Sequence, residues 1–312
     1  MRKIKQHFSK QPSKCEHSSD CISDSPFHYK NESAYQQWKE KKLKDYPHSI
    51  TQLIVPLNDP RALTAQELQQ IKNCLLKTNM VIYDIGRDVQ EDKSIPEQIG
   101  IQLGIHSLDK NECADDDGFT SIQVVDDGLH AIYIPYSEKG INWHTDGYYN
   151  RLAEQIYSMI LHCVRPAEEG GENQLWDHEI IYMMLRDKNP DYIKALMEPN
   201  AMTIPKNVLH GQLVRPDRSG PVFMITDEGR LHMRYTARAR NVIWKKDALT
   251  QEAQQTLRTL LNSDSEYQFQ GRLEAGQGLV CNNVLHTRTA FKDDKENPRL
   301  LYRGRYFDKI ML

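Results

Sequence analysis

The chain of 312 residues contains no run approaching the ~20 consecutive apolar residues that a bilayer-spanning helix needs. Its first twenty residues, MRKIKQHFSKQPSKCEHSSD, start basic but lack the apolar stretch of a secretory leader. These absences predict a cytoplasmic protein with no membrane partner. Charge of one sign is also missing. Forty basic and 43 acidic side chains leave a formal charge of -3, which gives no whole-molecule attraction to nucleic acid and points to a small-molecule partner. Cysteine is sparse: Cys15, Cys21, Cys74, Cys113, Cys163 and Cys281 form no CxxC pair, so reduced thiols are expected. The set Cys15, His17 and Cys21 has no standard zinc spacing and reads as part of a polar tail. GxGxxG, Walker, GxSxG and HExxH motifs are all absent, which removes the usual signatures of dinucleotide, nucleotide, ester and zinc-protease chemistry.

What remains is enough for a sizeable core: 39% of residues are apolar and 27% charged, with no internal repeat or long Gly/Pro/Ser linker. Residues 1–50 read as a partly flexible N-terminal extension, with Tyr35, Trp38 and Leu43 the first candidates for packing, and residues 51–312 as one domain. Thr64 and Glu67 form a capping box before a helix carrying Leu68, Ile71 and Leu75 on one face, followed by a buried strand at 80–83. Helical periodicity returns at 177–186 and about 247–262. Strand composition marks 121–125 and 130–134, joined into an expected hairpin by Asp126-Asp127-Gly128, and then 156–164, 221–225, 230–235, 277–281 and 299–307. The pattern is mixed α+β with a β-dominated core and flanking helices. The cluster Asp115-Asp116-Asp117-Gly118 lacks the alternating ligands of a calcium loop and reads as a solvated turn.

In Trp143-His144-Thr145-Asp146 a histidine and a carboxylate lie two apart, so on extended backbone both point to one side, which is a metal-ligand spacing. Alone it is a weak signal. The clearest third ligand is His286, at the end of the apolar run from Val280. Two imidazoles and one carboxylate on one face of a metal leave three positions open, the arrangement of non-haem iron(II) oxygenases. Downstream, Arg299, Arg303 and Arg305 share a strand face by alternation and suit carboxylate binding. His162, inside an apolar strand, reads as a hydrogen-bonded core residue and His178 as part of a helix start, while His210 and His232 have no partner at a recognisable spacing.

With these residues in hand, the chain resembles the taurine dioxygenase-like (TauD/TfdA-type) family of Fe(II)/2-oxoglutarate-dependent oxygenases. The matching pieces are Trp143 to Asp146, Gly170-Gly171-Glu172-Asn173, Asn282 to His286, and Arg299 with Arg303, in the same order over about residues 130–308. The resemblance implies a double-stranded β-helix (jelly roll, cupin-like). It implies Fe(II) held by His144, Asp146 and His286, 2-oxoglutarate paired through its distal carboxylate with Arg299, and Arg303 facing the primary substrate. Asn173 departs from the threonine of many relatives, though an amide can donate the same hydrogen bond. Relatives that halogenate lack the carboxylate ligand, so Asp146 favours hydroxylation or another two-electron oxidation.

The implied reaction consumes 2-oxoglutarate and O2, releases succinate and CO2, and oxidises a small anionic or zwitterionic, carboxylate-bearing substrate, with Tyr148 and Tyr149 lining the pocket. Arg234, Arg238 and Arg240 form a second basic cluster, read either as a solvated strand face or as substrate-side structure. The alternatives are a non-catalytic sensor that binds metal and 2-oxoglutarate, and a zinc hydrolase on the same three ligands, which leaves Arg299 unexplained. The sequence assigns no oligomeric state.

Overall fold

The computed structural model describes residues 24–87, 90–110, 114–125, 133–209, 211–238 and 242–312. Two sheets carry the architecture. The larger has six strands in the order Ile54–Pro56, Met80–Asp84, Gln277–Cys281, Ser158–Arg165, Leu300–Tyr306 and Thr120–Ile122. The smaller has four: Gln268–Gly271, Asn173–Trp176, Leu285–Arg288 and Ile141–His144. Apart from the parallel edge pair Ile54–Pro56 with Met80–Asp84, the pairings are antiparallel. This is the jelly roll with flanking helices that the family resemblance implies.

The strands of the large sheet read as continuous apolar runs because both faces are covered. Alternate residues serve different cores. Met80, Ile82, Met159, Cys163, Leu279, Cys281 and Leu301 join one cluster with Trp143, Leu175, Trp176 and Leu285 of the small sheet. Their neighbours Val81, Tyr83, Ile160, Val164, Val280, Leu300 and Tyr302 join a second with Ile71, Leu75, Ile95 and Ile99 of the helices Ala65–Thr78 and Ser94–Gln102. The two-residue period of a strand thus sorts each side chain to the space between the sheets or to the helical layer. It puts odd-numbered Leu301, and with it Arg303 and Arg305, on the inter-sheet side.

The capping box of Thr64 and Glu67 forms, and Ile71 and Leu75 are fully buried on the expected face. The helices expected at 177–186 and 247–262 are His178–Lys188 and Ala248–Leu261. The hairpin at 121–134 is corrected in part. Thr120–Ile122 pairs with Leu300–Tyr306, and Ile134–Tyr136 is a 3-10 turn; the intervening 126–132 lie outside the described residues. Asp115 and Asp117 are not simply solvated, since both engage the Lys93 ammonium at 2.6 and 2.9 Å.

Cys15, His17, Cys21 and Cys113 lie outside the described residues, whereas Cys74, Cys163 and Cys281 are free thiols. From residue 24 onward the N-terminal region carries a helix, Glu32–Leu43, docked on His178–Lys188. Tyr35 donates to the Asp187 carboxylate at 2.7 Å, and the buried Lys42 ammonium lies 2.7 and 2.5 Å from Asp177 and Glu179. Among the described residues, no helix is long and apolar enough to cross a membrane.

Candidate metal and cosubstrate site

The two candidate histidines are 142 positions apart in the chain but face each other across adjacent strands, because His286 is the register partner of His144. Their ring centroids are 4.1 Å apart. Asp146 follows two residues after His144, and its carboxylate oxygen lies 3.7 Å from His144 Nε2. One donor atom from each of the three side chains falls within 4.8 Å of the others. The structure therefore brings together the three residues that the sequence reading grouped.

Each imidazole is oriented by its own strand. His144 Nδ1 donates to the Asn142 carbonyl at 2.9 Å and His286 Nδ1 to the Val284 carbonyl at 2.9 Å. A carbonyl only accepts, so the proton sits on Nδ1 and the Nε2 lone pair is free, the tautomer a metal requires. Burial holds the His144 imidazole down to about 3, helped by the neighbouring His286, and burial lowers His286 too. For Asp146 burial pulls upward, but Arg303 and Arg305 outweigh it and keep the carboxyl well below the usual range. Its Oδ2 is buried with no hydrogen-bond partner. Two neutral imidazoles, a carboxylate and an unsatisfied buried oxygen make a donor set that fits a divalent first-row metal.

The backbone of Asp146 is held by a residue that the sequence reading left without a role. Asn283 takes the Asp146 N–H on Oδ1 at 2.7 Å and donates through Nδ2 to the carbonyls of Asp146 (2.9 Å) and Ile156 (2.7 Å). It does so with φ 51°, a left-handed conformation that asparagine tolerates better than most residues. Beside it, Asn282 donates to Asn79 Oδ1 at 2.9 Å, and Asn79 donates to Asp177 at 2.9 Å, so the loop before His286 is tied to the docked N-terminal helix through Lys42. Gly147 has φ 65°, and a Cβ there would meet Ile156 at 2.4 Å, so the chain can turn after Asp146 only with glycine. Asn283→Ala is expected to weaken Fe(II) affinity by about 10–100-fold, read by metal titration, because second-layer partners of metal ligands carry effects of that size.

Arg299, one residue before the strand Leu300–Tyr306, lines a cleft with Cys163, Gly171, Asn173, Arg272 and Leu301. It is 5% exposed, stacks on Phe291 at 5.0 Å, and its Nη1 has no hydrogen-bond partner. Burial lowers it to about 10. Asn173 spends one amide N–H on the Thr287 carbonyl at 2.8 Å and has a second to offer. Arg288 also stacks on Phe291, at 4.8 Å, yet its Nη atoms donate to the carbonyls of Ile134, Pro135, Ser137 and Lys139. Among the described residues both Arg288 Nη atoms are bonded to carbonyls, whereas Arg299 Nη1 is not, although Arg288 Nε is also unpartnered.

Arg303 does not point away from the metal ligands: its Nη1 lies 3.5 and 3.4 Å from the two oxygens of Asp146. Arg305 donates to the Tyr149 hydroxyl at 2.9 Å and also pairs with Asp109. Tyr148 and Tyr149 meet edge to face at 5.1 Å. Arg234 is neither solvated nor free for substrate. It is 1% exposed and donates to the carbonyls of Tyr148, Met202 and Arg218 at 2.8, 3.1 and 2.7 Å. Arg240 and His210 lie outside the described residues.

His162, His178 and His232 bond within the protein. His162 bonds to Tyr83 at 3.0 Å, His178 Nε2 meets the Leu231 carbonyl at 3.2 Å, and His232 meets Gln155 at 3.3 Å. Burial holds His162 to about 4 and His232 to about 3 against an unfolded value near 6.5. Below pH 6.5 the unfolded chain takes up protons that the fold refuses, so stability declines toward acid. Each group contributes up to about 1.4 kcal/mol per pH unit. Thermal melts from pH 7 to 5 should show a falling midpoint, with a shallower fall in His162→Gln.

A family model described as "Taurine catabolism dioxygenase TauD, TfdA family" matches residues 41–305. The chain is 33% identical over 170 residues to a uridine-5'-phosphate dioxygenase of Amycolatopsis sp., covering 53% of this chain and 60% of that protein. It is 31% identical over 171 residues to a uridine-5'-phosphate dioxygenase of Streptomyces sp., with 52% and 60% covered. The matched stretch thus spans 60% of the length of each of these curated relatives. Among solved structures, an asparagine oxygenase in complex with Fe(II), hydroxyasparagine and succinate superposes with a TM-score of 0.54 at 13% identity, covering 81% of this chain and 93% of that one. That likeness is one of fold.

Proposed function

The chain belongs to the taurine catabolism dioxygenase TauD, TfdA family, and from that premise we propose that it is an Fe(II)- and 2-oxoglutarate-dependent dioxygenase. In this reading it oxidises, most simply by hydroxylation, a small anionic substrate and releases succinate and CO2. The observation that carries it is the convergence of His144, Asp146 and His286, supported by a buried guanidinium, Arg299, that the protein leaves partly unpartnered.

His144, Asp146 and His286 would hold the iron, which when bound supplies the activation of O2. Arg299, with its free Nη1 and the second amide N–H of Asn173 in the same cleft, would bind the distal carboxylate of 2-oxoglutarate. A buried, pre-oriented guanidinium fixes a carboxylate in direction as well as charge. Arg303 keeps Asp146 ionised and lends positive charge beside the ligands, where Tyr148 and Tyr149 would line the substrate side.

The curated relatives are named for uridine-5'-phosphate, and that name supports a phosphate-bearing nucleotide over the amino-acid-like carboxylate that the sequence alone suggests. Succinate release coupled to O2 uptake with uridine-5'-phosphate tests the reading. A non-catalytic sensor would bind 2-oxoglutarate without turnover, and a zinc hydrolase would act without oxygen. Arg303→Leu should raise the substrate KM by about tenfold or more while moving that of 2-oxoglutarate by less than about threefold, as expected for loss of one charge-assisted contact. The reverse pattern would exchange the two arginines' roles.

A further inference from the structure

We infer that Arg215 and Arg238, both near the Tyr148–Tyr149 pair, form a clamp for a phosphomonoester dianion and so set the substrate class of this site. The inference rests on the oxygenase reading above and deepens it.

The segment carrying Arg238 runs beside the metal-ligand strand. Thr145 N–H donates to the Tyr235 carbonyl at 3.0 Å, Ala237 N–H to the Trp143 carbonyl at 2.8 Å, and Thr236 bridges to His144. Alternation on extended backbone puts Arg238 on the same face as Thr236, toward the side of His144. Arg215 enters from a different element, the strand Gln212–Arg215, with its guanidinium 6.0 Å from the centre of the Tyr149 ring.

Among the described residues neither cation is held in an ion pair, although Asp217 lies near enough to Arg215 to act on its charge. Arg215 donates only to the carbonyls of Pro216 and Pro205, at 3.1 and 2.8 Å. Burial lowers Arg215, and the nearby Arg218 lowers it further by repulsion; Arg218 Nε is itself buried without a partner. Arg234, in contrast, donates from each of its three nitrogens to a carbonyl. Gathering like charges costs free energy that a bound anion recovers.

The geometry favours phosphate over carboxylate. A carboxylate offers one charge and two coplanar oxygens, which a single guanidinium satisfies. A phosphomonoester offers close to two charges and three acceptor oxygens, which suit cations arriving from two elements. Tyr149 completes the set: its oxygen accepts from Arg305, so its own O–H remains free to donate to a phosphate oxygen.

The test uses the enzyme loaded anaerobically with Fe(II) and 2-oxoglutarate, whose visible charge-transfer band reports substrate entry. Uridine-5'-phosphate, uridine and inorganic phosphate are titrated against wild type, Arg215→Met, Arg238→Met and the double variant. Each single change should raise the uridine-5'-phosphate Kd about tenfold and the double change about 100-fold, with the band itself intact. Wild-type affinity should fall with added salt and below about pH 6, where the phosphate dianion is protonated to a monoanion. The clamp is overturned if uridine binds as tightly as its phosphate. It is overturned equally if the double variant keeps its Kd within twofold, or if neither uridine-5'-phosphate nor phosphate perturbs a band that does form. A wild-type protein that forms no band overturns the oxygenase reading instead.

Discussion

His144→Ala is expected to abolish the visible charge-transfer band formed by anaerobic Fe(II) and 2-oxoglutarate, and to lower succinate release by on the order of 1000-fold. Removing Nε2 leaves His286 and Asp146, two donors that no longer define one face of a metal, while the Asn142 carbonyl that oriented the imidazole loses its partner. The fold should survive, because the ligand strand is held by backbone pairing to Leu285–Arg288 and by the contacts of Thr145 with Tyr235. His162→Ala supplies the contrast. That side chain is fully buried and bonded to Tyr83 on the helical side of the large sheet, so its loss should lower the melting temperature and leave the band in place. If His144→Ala kept full chelation and turnover, the ligand assignment would be wrong.

The sequence exposes the metal triad because its spacing is a local property: two residues on extended backbone share a side, and His144 and Asp146 are two apart. The third member is less legible: His286 stands out as a candidate at the end of an apolar run, but nothing in the residues near it states that it will be the cross-strand partner of His144. Long apolar runs such as Ser158–Arg165 were readable for a related reason: burial on both faces leaves a strong composition signal. The small sheet was much harder to see. Its strands are four residues each and carry polar residues such as Asn173, Gln174, Gln268 and Gln270, so composition is nearly silent. Asn283 was overlooked because its role depends on a positive φ and on backbone groups of Asp146 and Ile156, neither of which a side-chain pattern encodes. The arginines make the same point. Arg234, Arg288 and Arg299 look alike in sequence, and only the carbonyls around each decide which is structural and which is left for a ligand.

Arg299→Leu should separate those two fates in one variant. A charged contact to a carboxylate contributes roughly 1.5–3 kcal/mol, so loss of this guanidinium should raise the KM for 2-oxoglutarate by about 10–100-fold. Stability of the cosubstrate-free protein should move the other way. Arg299 is a buried cation with Phe291 on one side and an unpartnered Nη1, and replacing an unpaired buried charge by an apolar side chain relieves its desolvation cost. A rise in the melting temperature of the free protein is therefore expected, together with loss of the further rise that 2-oxoglutarate gives the wild type. Arg288→Leu has no such compensation. It strands several buried carbonyls that now accept from its Nη atoms, so it should lower stability whether or not 2-oxoglutarate is present. Equal destabilisation by both substitutions would mean that Arg299 is a structural brace like its neighbour, and the cosubstrate's anchor would have to be sought elsewhere in the cleft.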